Sequence, residues 1–288
     1  TNAPPCATNG SVWTNGFRGV WHLNGTNMIQ LDATTNHNDA SQLGSVVTGS
    51  VGQVDGSVHL DGSTGYLSVS NSASITVSNN FCAEVWFKRD AYGAFDGFVS
   101  KLSDTYTKCW NLNFNNNNTT FAAFAPSTYR NVDGASRQTD FDWHHFVLRI
   151  QNGYINLFLD GVQQSVNSAV TITESGKALL FGRFDADVND HYLNGLLDEI
   201  RVSGVPRSSN WVWACWMNQA SNGIFNTYGA PATDGRPAIV NSNATGVLTN
   251  FATLNGSHYE LGQTHRSAPT ATRPTETLDA TTFVGRKA

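Results

Sequence analysis

Charge is scarce in this 288-residue sequence, because Lys, Arg, Asp and Glu together make up 14% of it and the formal net charge is −5. Nucleic-acid binding needs a concentrated basic surface, and no basic cluster occurs, so no nucleic-acid partner is expected. No apolar run approaches the roughly 20 residues of a membrane-spanning helix, so no membrane insertion is expected. No signal peptide is visible and the sequence begins abruptly at Thr1, so we expect the chain to be a mature or trimmed piece.

Cysteine is also scarce, with four residues that are widely spaced. They are Cys6, Cys82, Cys109 and Cys215. No CxxC pair occurs, which argues against a thiolate zinc site. An even number allows two disulfides in three possible pairings, and free buried thiols are the alternative. The sequence does not choose between these possibilities.

Gly, Asn, Ser and Thr are abundant, and they separate short runs in which polar and apolar residues alternate. This pattern predicts an all-β protein, with a two-sheet antiparallel sandwich over residues 17–207. The segment 208–225 is the best helical candidate, because Trp211 and Cys215 begin an i, i+4, i+7 pattern. Ser208 or Ser209 is expected to cap this helix.

The segment 181–202 (FGRFDADVNDHYLNGLLDEIRV) ends in an alternating run that predicts a strand with one buried face. The two alternating sets are Leu197, Glu199 and Arg201, and Leu196, Asp198, Ile200 and Val202. Asp198 falls on the parity of Ile200 and Val202, so its carboxylate is predicted to point inward or to lie at the sheet margin. A buried carboxylate needs hydrogen-bond donors or a metal, which makes Asp198 a candidate structural ligand.

The ending LNGLLDEIRV resembles the last core strand of laminin-G-like, concanavalin A-like lectin/glucanase domains of secreted bacterial proteins. Six further motifs fit in the expected order: 19–23 (GVWHL), 32–39 (DATTNHND), 58–69 (VHLDGSTGYLSV), 81–88 (FCAEVWFK), 143–149 (WHHFVLR) and 157–161 (LFLDG). The resemblance implies a jelly-roll sandwich with one short C-terminal helix and an irregular tail. This fold hosts lectins, hydrolases, lyases and inert spacers, so it does not by itself define a function.

The resemblance also suggests a division of the chain. Residues 1–16 are interpreted as the remnant of a preceding module or a linker, and residues 17–229 as the sandwich. Residues 230–288 are rich in Pro, Thr, Ala and Asn without a sustained period. They are interpreted as an extended tail or a truncated fibronectin-like module, through which the protein could self-associate.

The polar loop 32–39 is dense in side-chain oxygens, and calcium takes six to eight oxygen ligands. In the resembled family this loop and the Asp of the LDE strand lie close together and can share a calcium ion. The resemblance therefore implies a structural calcium bound by Asp32, Asn38 and Asp198. The alternative is an Asx-rich turn whose side chains bind its own backbone amides.

Sugar recognition is predicted at the acidic loop 185–191 together with tyrosines in turn-rich contexts, because an exposed ring can stack on a sugar face. The predicted glycan-binding residues are Asp185, Asp187, Asp190, His191, Tyr92, Tyr106 and Tyr129. The alternative is that the loop is solvated and that the tyrosines pack against neighbouring turns.

Signatures of catalysis are missing. The sequence has no G-x-S-x-G elbow, no phosphate loop and no strand with two Glu residues spaced for retaining glycoside hydrolysis. Weak catalytic candidates are Glu84, Asp142 and Glu199. The favoured function is a secreted or cell-surface glycan-binding module that is stabilised by calcium. A glycoside hydrolase or related polysaccharide-degrading enzyme, and a structural, adhesive or self-assembling surface protein, are the alternatives.

Overall fold

A computed structural model describes residues 10–93, 95–102, 109–114, 119–124, 130–167, 171–184, 191–228 and 239–240. By its internal contacts the chain divides into two units, and the first contains the sandwich up to Thr227. The sandwich consists of two eight-stranded antiparallel sheets, which confirms the predicted all-β fold.

The first sheet has the strand order β14-β13-β12-β7-β16-β5-β4, and β1 also pairs with β16. Its strands are β1 (Phe17–Trp21), β4 (Val46–Val51), β5 (Gly56–Asp61), β7 (Phe81–Arg89), β12 (His144–Gln151), β13 (Tyr154–Leu159), β14 (Val162–Asn167) and β16 (Asn194–Ser203). The second sheet has the order β11-β10-β9-β8-β15-β6-β3-β2. Its strands are β2 (Ile29–Gln30), β3 (Ala40–Leu43), β6 (Tyr66–Val69), β8 (Gly97–Ser100), β9 (Trp110–Phe114), β10 (Thr119–Phe124), β11 (Arg130–Arg137) and β15 (Leu179–Phe181).

Helical segments are short. A 3₁₀ turn covers Ala73–Ile75, helix α1 covers Ser209–Ala220, and helix α2 covers Asn222–Phe225. The Ser208 hydroxyl accepts a hydrogen bond from the Trp211 amide at 3.1 Å, so Ser208 is the N-cap of the two residues that the sequence allowed. Within the described part of the chain, no helix is long and apolar enough to cross a membrane. Beyond the sandwich, β17 (Thr227–Tyr228) pairs with β18 (Ile239–Val240).

Strand β7 is buried on both faces. Phe81, Val85 and Phe87 point into the core between the sheets, where they meet residues of the second sheet such as Phe98 and Phe114. Its alternate residues lie on the opposite face, which α1 covers: Cys82 packs against Val212 of that helix. The Trp86 indole also donates to Gln219 Oε1 at 2.6 Å. The first sheet is therefore sandwiched between the second sheet and a helix.

The predicted alternation fails in β16, and this corrects the expected face of Asp198. Asp198 lies opposite Trp86, but the next registered pair is Arg201 with Glu84, so β16 carries an extra residue at this point. Glu199 takes the left-handed conformation (φ 49°) that this bulge requires. Leu197, Ile200 and Val202 consequently share the core. Asp198 and Arg201 are buried on the other face, beneath α1.

Three of the cysteines are free thiols: Cys82, Cys109 and Cys215. Burial raises the pKa of Cys109 and of Cys215 to about 12, so both sulfurs are protonated and poorly nucleophilic at neutral pH. Cys6 lies outside the described residues. Among the described cysteines the structure therefore matches the free-thiol alternative.

Candidate functional site

A buried ion pair lies at one end of the sandwich. Strand β7 ends at Arg89, whose Nη1 lies 3.4 Å from Asp96 Oδ2 and whose Nη2 donates to the backbone carbonyl of Gln138 at 3.3 Å. Nη2 also donates to the Gln138 side chain. Burial lowers the pKa of Arg89 and raises that of Asp96, because each charge has lost water. The pair joins the loop after β7 to the loop before β12.

Two exposed aromatic rings lie beside this pair, and we call Tyr92 and Phe141 the aromatic rim. The two residues are 45% and 42% exposed, which is high for large residues with apolar ring faces. The ring centroids lie 4.7 Å apart at an interplanar angle of 32°. The guanidinium carbon of Arg89 lies 4.6 Å from the Tyr92 centroid, so a cation–π contact supports the rim from beneath.

His144 holds the loop that carries Phe141. Its Nε2 lies 2.7 Å from Asp140 Oδ1, and its Nδ1 lies 2.6 Å from Asp160 Oδ2. Burial acts to lower the pKa of His144, but the hydrogen bonds and charges of Asp160 and Asp140 together raise it above its ordinary value. The same contacts lower the pKa of Asp140. His144 thus ties the loop before β12 to the turn after β13.

Two of the predicted glycan-binding residues lie at this end. Tyr92 belongs to the rim, and the His191 ring packs 5.2 Å from Phe95 and 5.4 Å from Phe184. Because Phe95 directly precedes Asp96 in the chain, the His191 ring lies near the buried pair. The remaining predicted residues lie outside the described part of the chain: Asp185, Asp187, Asp190, Tyr106 and Tyr129.

Phe141 was missed by the sequence reasoning. The stretch 138–143 (QTDFDW) contains a signal that could have found it, because Phe141 is a large apolar residue between two carboxylates in a turn. This is the polar, turn-rich context that singled out Tyr92. Searching that context for tyrosines alone left out the phenylalanine.

The residues proposed as calcium ligands already have protein partners. Asp32 Oδ1 accepts from the amides of Val20 (3.0 Å) and Thr34 (2.9 Å), and Oδ2 accepts from the Thr34 hydroxyl (2.8 Å) and the Asn38 amide (2.9 Å). Asn38 Oδ1 accepts from the hydroxyls of Ser72 and Ser74 at 3.0 and 2.8 Å. These contacts fit an Asx-rich turn better than a set of open cation ligands.

Asp198 contacts a different loop. Its Oδ2 accepts from the Val54 amide at 2.8 Å, in the turn between β4 and β5. Its Oδ1 is buried and has no hydrogen-bond partner in the described part of the chain. Burial raises the pKa of Asp198 to about 7. No group of three or more His, Cys, Asp or Glu side chains placed for a metal ion occurs among the described residues. The calcium site therefore stays a prediction.

The catalytic candidates Glu84 and Glu199 lie beneath α1 and share one cation. Arg201 Nη2 donates to Glu199 Oε2 at 2.5 Å, and Arg201 Nη1 lies 3.6 Å from Glu84 Oε1. Burial acts to raise the pKa of Glu199, but hydrogen bonds from His22 and Arg201 lower it below the ordinary value. A general acid at neutral pH needs a raised pKa, so this arrangement suits an ionic network inside the fold.

Asp142 does not join these carboxylates. It lies on an exposed loop before β12, whose first residue, His144, is opposite Phe87. Phe87 is three residues from Glu84 along β7, which corresponds to about 10 Å at the rise of a strand. The adjacent histidines face opposite sides of the sheet, as predicted, since His145 stacks on Trp86 with centroids 5.1 Å apart.

A family model for the concanavalin A-like lectin/glucanases superfamily matches residues 61–213, more than half of the chain. The chain belongs to this superfamily. None of the curated proteins compared with the sequence matches it.

Solved structures with the same fold include domain 4 of AbnA, a GH43 extracellular arabinanase from Geobacillus stearothermophilus, in complex with arabinotriose. It is 14% identical, with a TM-score of 0.55, over 68% of this chain and 96% of that one. The binding domain of botulinum neurotoxin serotype G is 12% identical, with a TM-score of 0.58, over 72% of this chain. The match covers about half (52%) of that toxin domain. At these identities the likeness shows the fold alone.

Proposed function

We propose that this chain is an extracellular carbohydrate-binding module and that the aromatic rim is its glycan site. The observation that carries this proposal is the close, tilted and exposed pair of Tyr92 and Phe141 rings. The faces of such rings match the C–H faces of sugars, and the Tyr92 hydroxyl can still hydrogen-bond. The neighbouring carboxylate of Asp140, which is 53% exposed, can accept hydrogen bonds from sugar hydroxyls.

The rim is also held in place before a ligand arrives. Arg89 lies between the Tyr92 ring and the buried Phe114 ring, with its guanidinium carbon 4.2 Å from the Phe114 centroid. His144 fixes the loop of Phe141 through Asp140. A fixed binding surface loses less conformational entropy when a ligand binds than a mobile one does. This raises the affinity for ligands that make few contacts, such as a single sugar chain.

Two structures of the same fold support the choice of ligand class. AbnA domain 4 was solved with arabinotriose, and it is part of an extracellular arabinanase. Another solved structure with this fold concerns botulinum neurotoxin type C, whose cell entry depends on interaction with two ganglioside molecules. The extracellular setting of the arabinanase agrees with the low charge and the abundance of Gly, Asn, Ser and Thr in this chain.

Retention on insoluble polysaccharides tests this function. We expect Tyr92→Ala and Phe141→Ala each to weaken retention about tenfold, equivalent to about 1.4 kcal/mol. Tyr154→Ala is the matched control, because Tyr154 is 53% exposed but lies at the far end of β13 from Asp160. Equal retention of the wild type and both rim variants would place the site elsewhere.

The same incubations separate the alternative functions. Release of reducing sugar from any polymer would favour the glycoside hydrolase. If the wild type is retained on no polymer, with calcium or with chelator, the structural or self-assembling alternative is favoured instead.

A further inference from the structure

We infer that the aromatic rim selects uncharged glycans over glycans that carry carboxylates, with Asp140 and Asp142 as the residues that determine this specificity. This inference rests on the proposed glycan-binding function and narrows its ligand class.

Among the described residues, the exposed charged groups that flank Phe141 are carboxylates. Asp140 and Asp142 flank Phe141 in the chain, and both are exposed. The Asp142 amide donates to Asp140 Oδ1 at 3.1 Å, so the loop turns tightly around the phenylalanine. Asp160, which is 30% exposed, lies on the far side of His144. A ligand on the ring of Phe141 therefore meets acceptors and negative charge.

Among the side chains that the structure describes at this end, the cations beside the rim are inaccessible. The Arg89 side chain is 0% exposed and pairs with Asp96 beneath the rim. His144 is 14% exposed, and both of its ring nitrogens face carboxylates. Lys88 belongs to the alternate set of β7 residues, on the face that α1 covers, and so points away from Arg89. The side chains of Arg89 and His144 therefore face the protein's own carboxylates.

The balance of charge among these residues is negative. Even with His144 protonated, the positive charges of His144 and Arg89 are outnumbered by four carboxylates. These belong to Asp96, Asp140, Asp142 and Asp160.

Sugar hydroxyls can donate to Asp140 and Asp142, whereas a uronate carboxylate is repelled by both. When a ligand carboxylate lies about 6 Å from one of these aspartates in water, the repulsion between the two charges weakens binding by about threefold. Salt reduces this effect over a Debye length of about 10 Å at 0.1 M.

Matched polymers test the inference with the full chain. The probes are amorphous cellulose, insoluble β-1,3-glucan and β-galactan, each used also after oxidation of its primary hydroxyls to carboxylates, so that backbone and linkage are kept. The wild type should be retained at least about fivefold better on a neutral polymer than on its oxidised copy in 20 mM salt. The difference should shrink in 0.5 M salt.

Variants assign the selectivity to the two carboxylates. Asp140→Asn with Asp142→Asn should reduce the preference for the neutral copy to less than about twofold. The control is Asp55→Asn, which removes one charge from an exposed turn just before β5. This turn lies away from the rim, so the variant should keep the wild-type preference for the neutral polymer.

Three results overturn the inference or a part of it. Wild-type retention on an oxidised polymer that equals or exceeds retention on its neutral copy overturns the selectivity alone and leaves glycan binding standing. Failure of the wild type on every neutral and oxidised polymer overturns both the selectivity and the proposed function. A double variant that keeps the full wild-type preference overturns the assignment to Asp140 and Asp142.

Discussion

The guanidinium of Arg89 lies directly beneath the ring of Tyr92, 4.6 Å from its centroid, and on its other side lies 4.2 Å from the ring of Phe114. Phe114 belongs to the core of the sandwich, whereas Tyr92 is half exposed. One buried cation thus connects the hydrophobic core to the surface that we propose binds glycans. Stability and binding should therefore both respond to changes at Arg89.

Removal of one partner from the Arg89–Asp96 pair is expected to be costly. Arg89→Met leaves the Asp96 carboxylate buried without its cation, and such losses typically cost about 3–5 kcal/mol. The double change Arg89→Met with Asp96→Asn should recover part of the loss, because no unpaired charge remains. Urea unfolding of the wild type, the two single variants and the double variant measures this coupling. Additive effects of the two changes would show that the pair is not energetically coupled.

Stability should fall with rising pH through the titration of His144. Its pKa is raised in the folded protein, so its contribution is complete below the ordinary histidine value of 6.5 and is lost as pH rises through the folded value. The loop of Phe141 should loosen in the same window, which lowers glycan retention. His144→Gln should flatten both pH profiles, measured as melting temperature and retention between pH 6 and 9.

A control is available for the pH profiles. His37→Asn removes an exposed imidazole from the 32–39 loop, at a left-handed position (φ 53°) that Asn tolerates. Profiles of His144→Gln that match the wild type in this window would contradict the role given to the Asp140–His144–Asp160 bridge.

The sandwich was predictable because residues in its strands alternate between the two faces of a sheet, and this alternation is visible in the sequence. In β7 the alternation of Phe81, Val85 and Phe87 with Cys82 and Trp86 matches the two faces seen in the structure. The same rule failed in β16, because the bulge at Glu199 shifts the alternation by one residue. A period of two cannot reveal an inserted residue whose neighbours are all compatible with a strand.

The candidate site was only partly predictable. Tyr92 and His191 stood out as an aromatic and an ionisable residue in polar loops, and both lie near the Arg89–Asp96 pair. In the sequence, nothing distinguishes Arg89 from an ordinary charged residue at the end of a strand. Its burial depends on Gln138, which is 49 residues away and arrives through the pairing of β12 with β7. Long-range contacts of this kind have no local signal in the sequence.

Asp198 should destabilise the fold as pH rises. Its pKa is raised from 3.8 to about 7, so the folded state binds this proton more tightly, and the carboxyl lowers stability as pH rises through that interval. Asp198→Asn keeps an acceptor for the Val54 amide and cannot ionise. Relative to the wild type, the variant should gain about 1–3 kcal/mol between pH 5 and pH 8.

Urea unfolding in chelator at the two pH values measures this difference. Asp55→Asn, at an exposed position of the same turn, controls for the removal of a charge alone. A stability difference between wild type and Asp198→Asn that is the same at pH 5 and pH 8 would show that the buried carboxyl does not titrate in this range.

Asp32 separates the two interpretations of the 32–39 loop. Its carboxylate accepts four hydrogen bonds from Val20, Thr34 and Asn38, so we expect Asp32→Asn to cost about 2–4 kcal/mol equally with calcium and with chelator. Asp39→Asn is the matched control, because Asp39 Oδ1 accepts from the Asp32 amide at 2.9 Å in the same loop, and this substitution should cost about 1 kcal/mol.

A ligand that binds only the folded state stabilises the protein more as the ligand concentration rises. If calcium raises the melting temperature of the wild type and of Asp39→Asn but not of Asp32→Asn, the loop binds the calcium ion that the resemblance implies, and the hydrogen-bonded turn is its metal-free form.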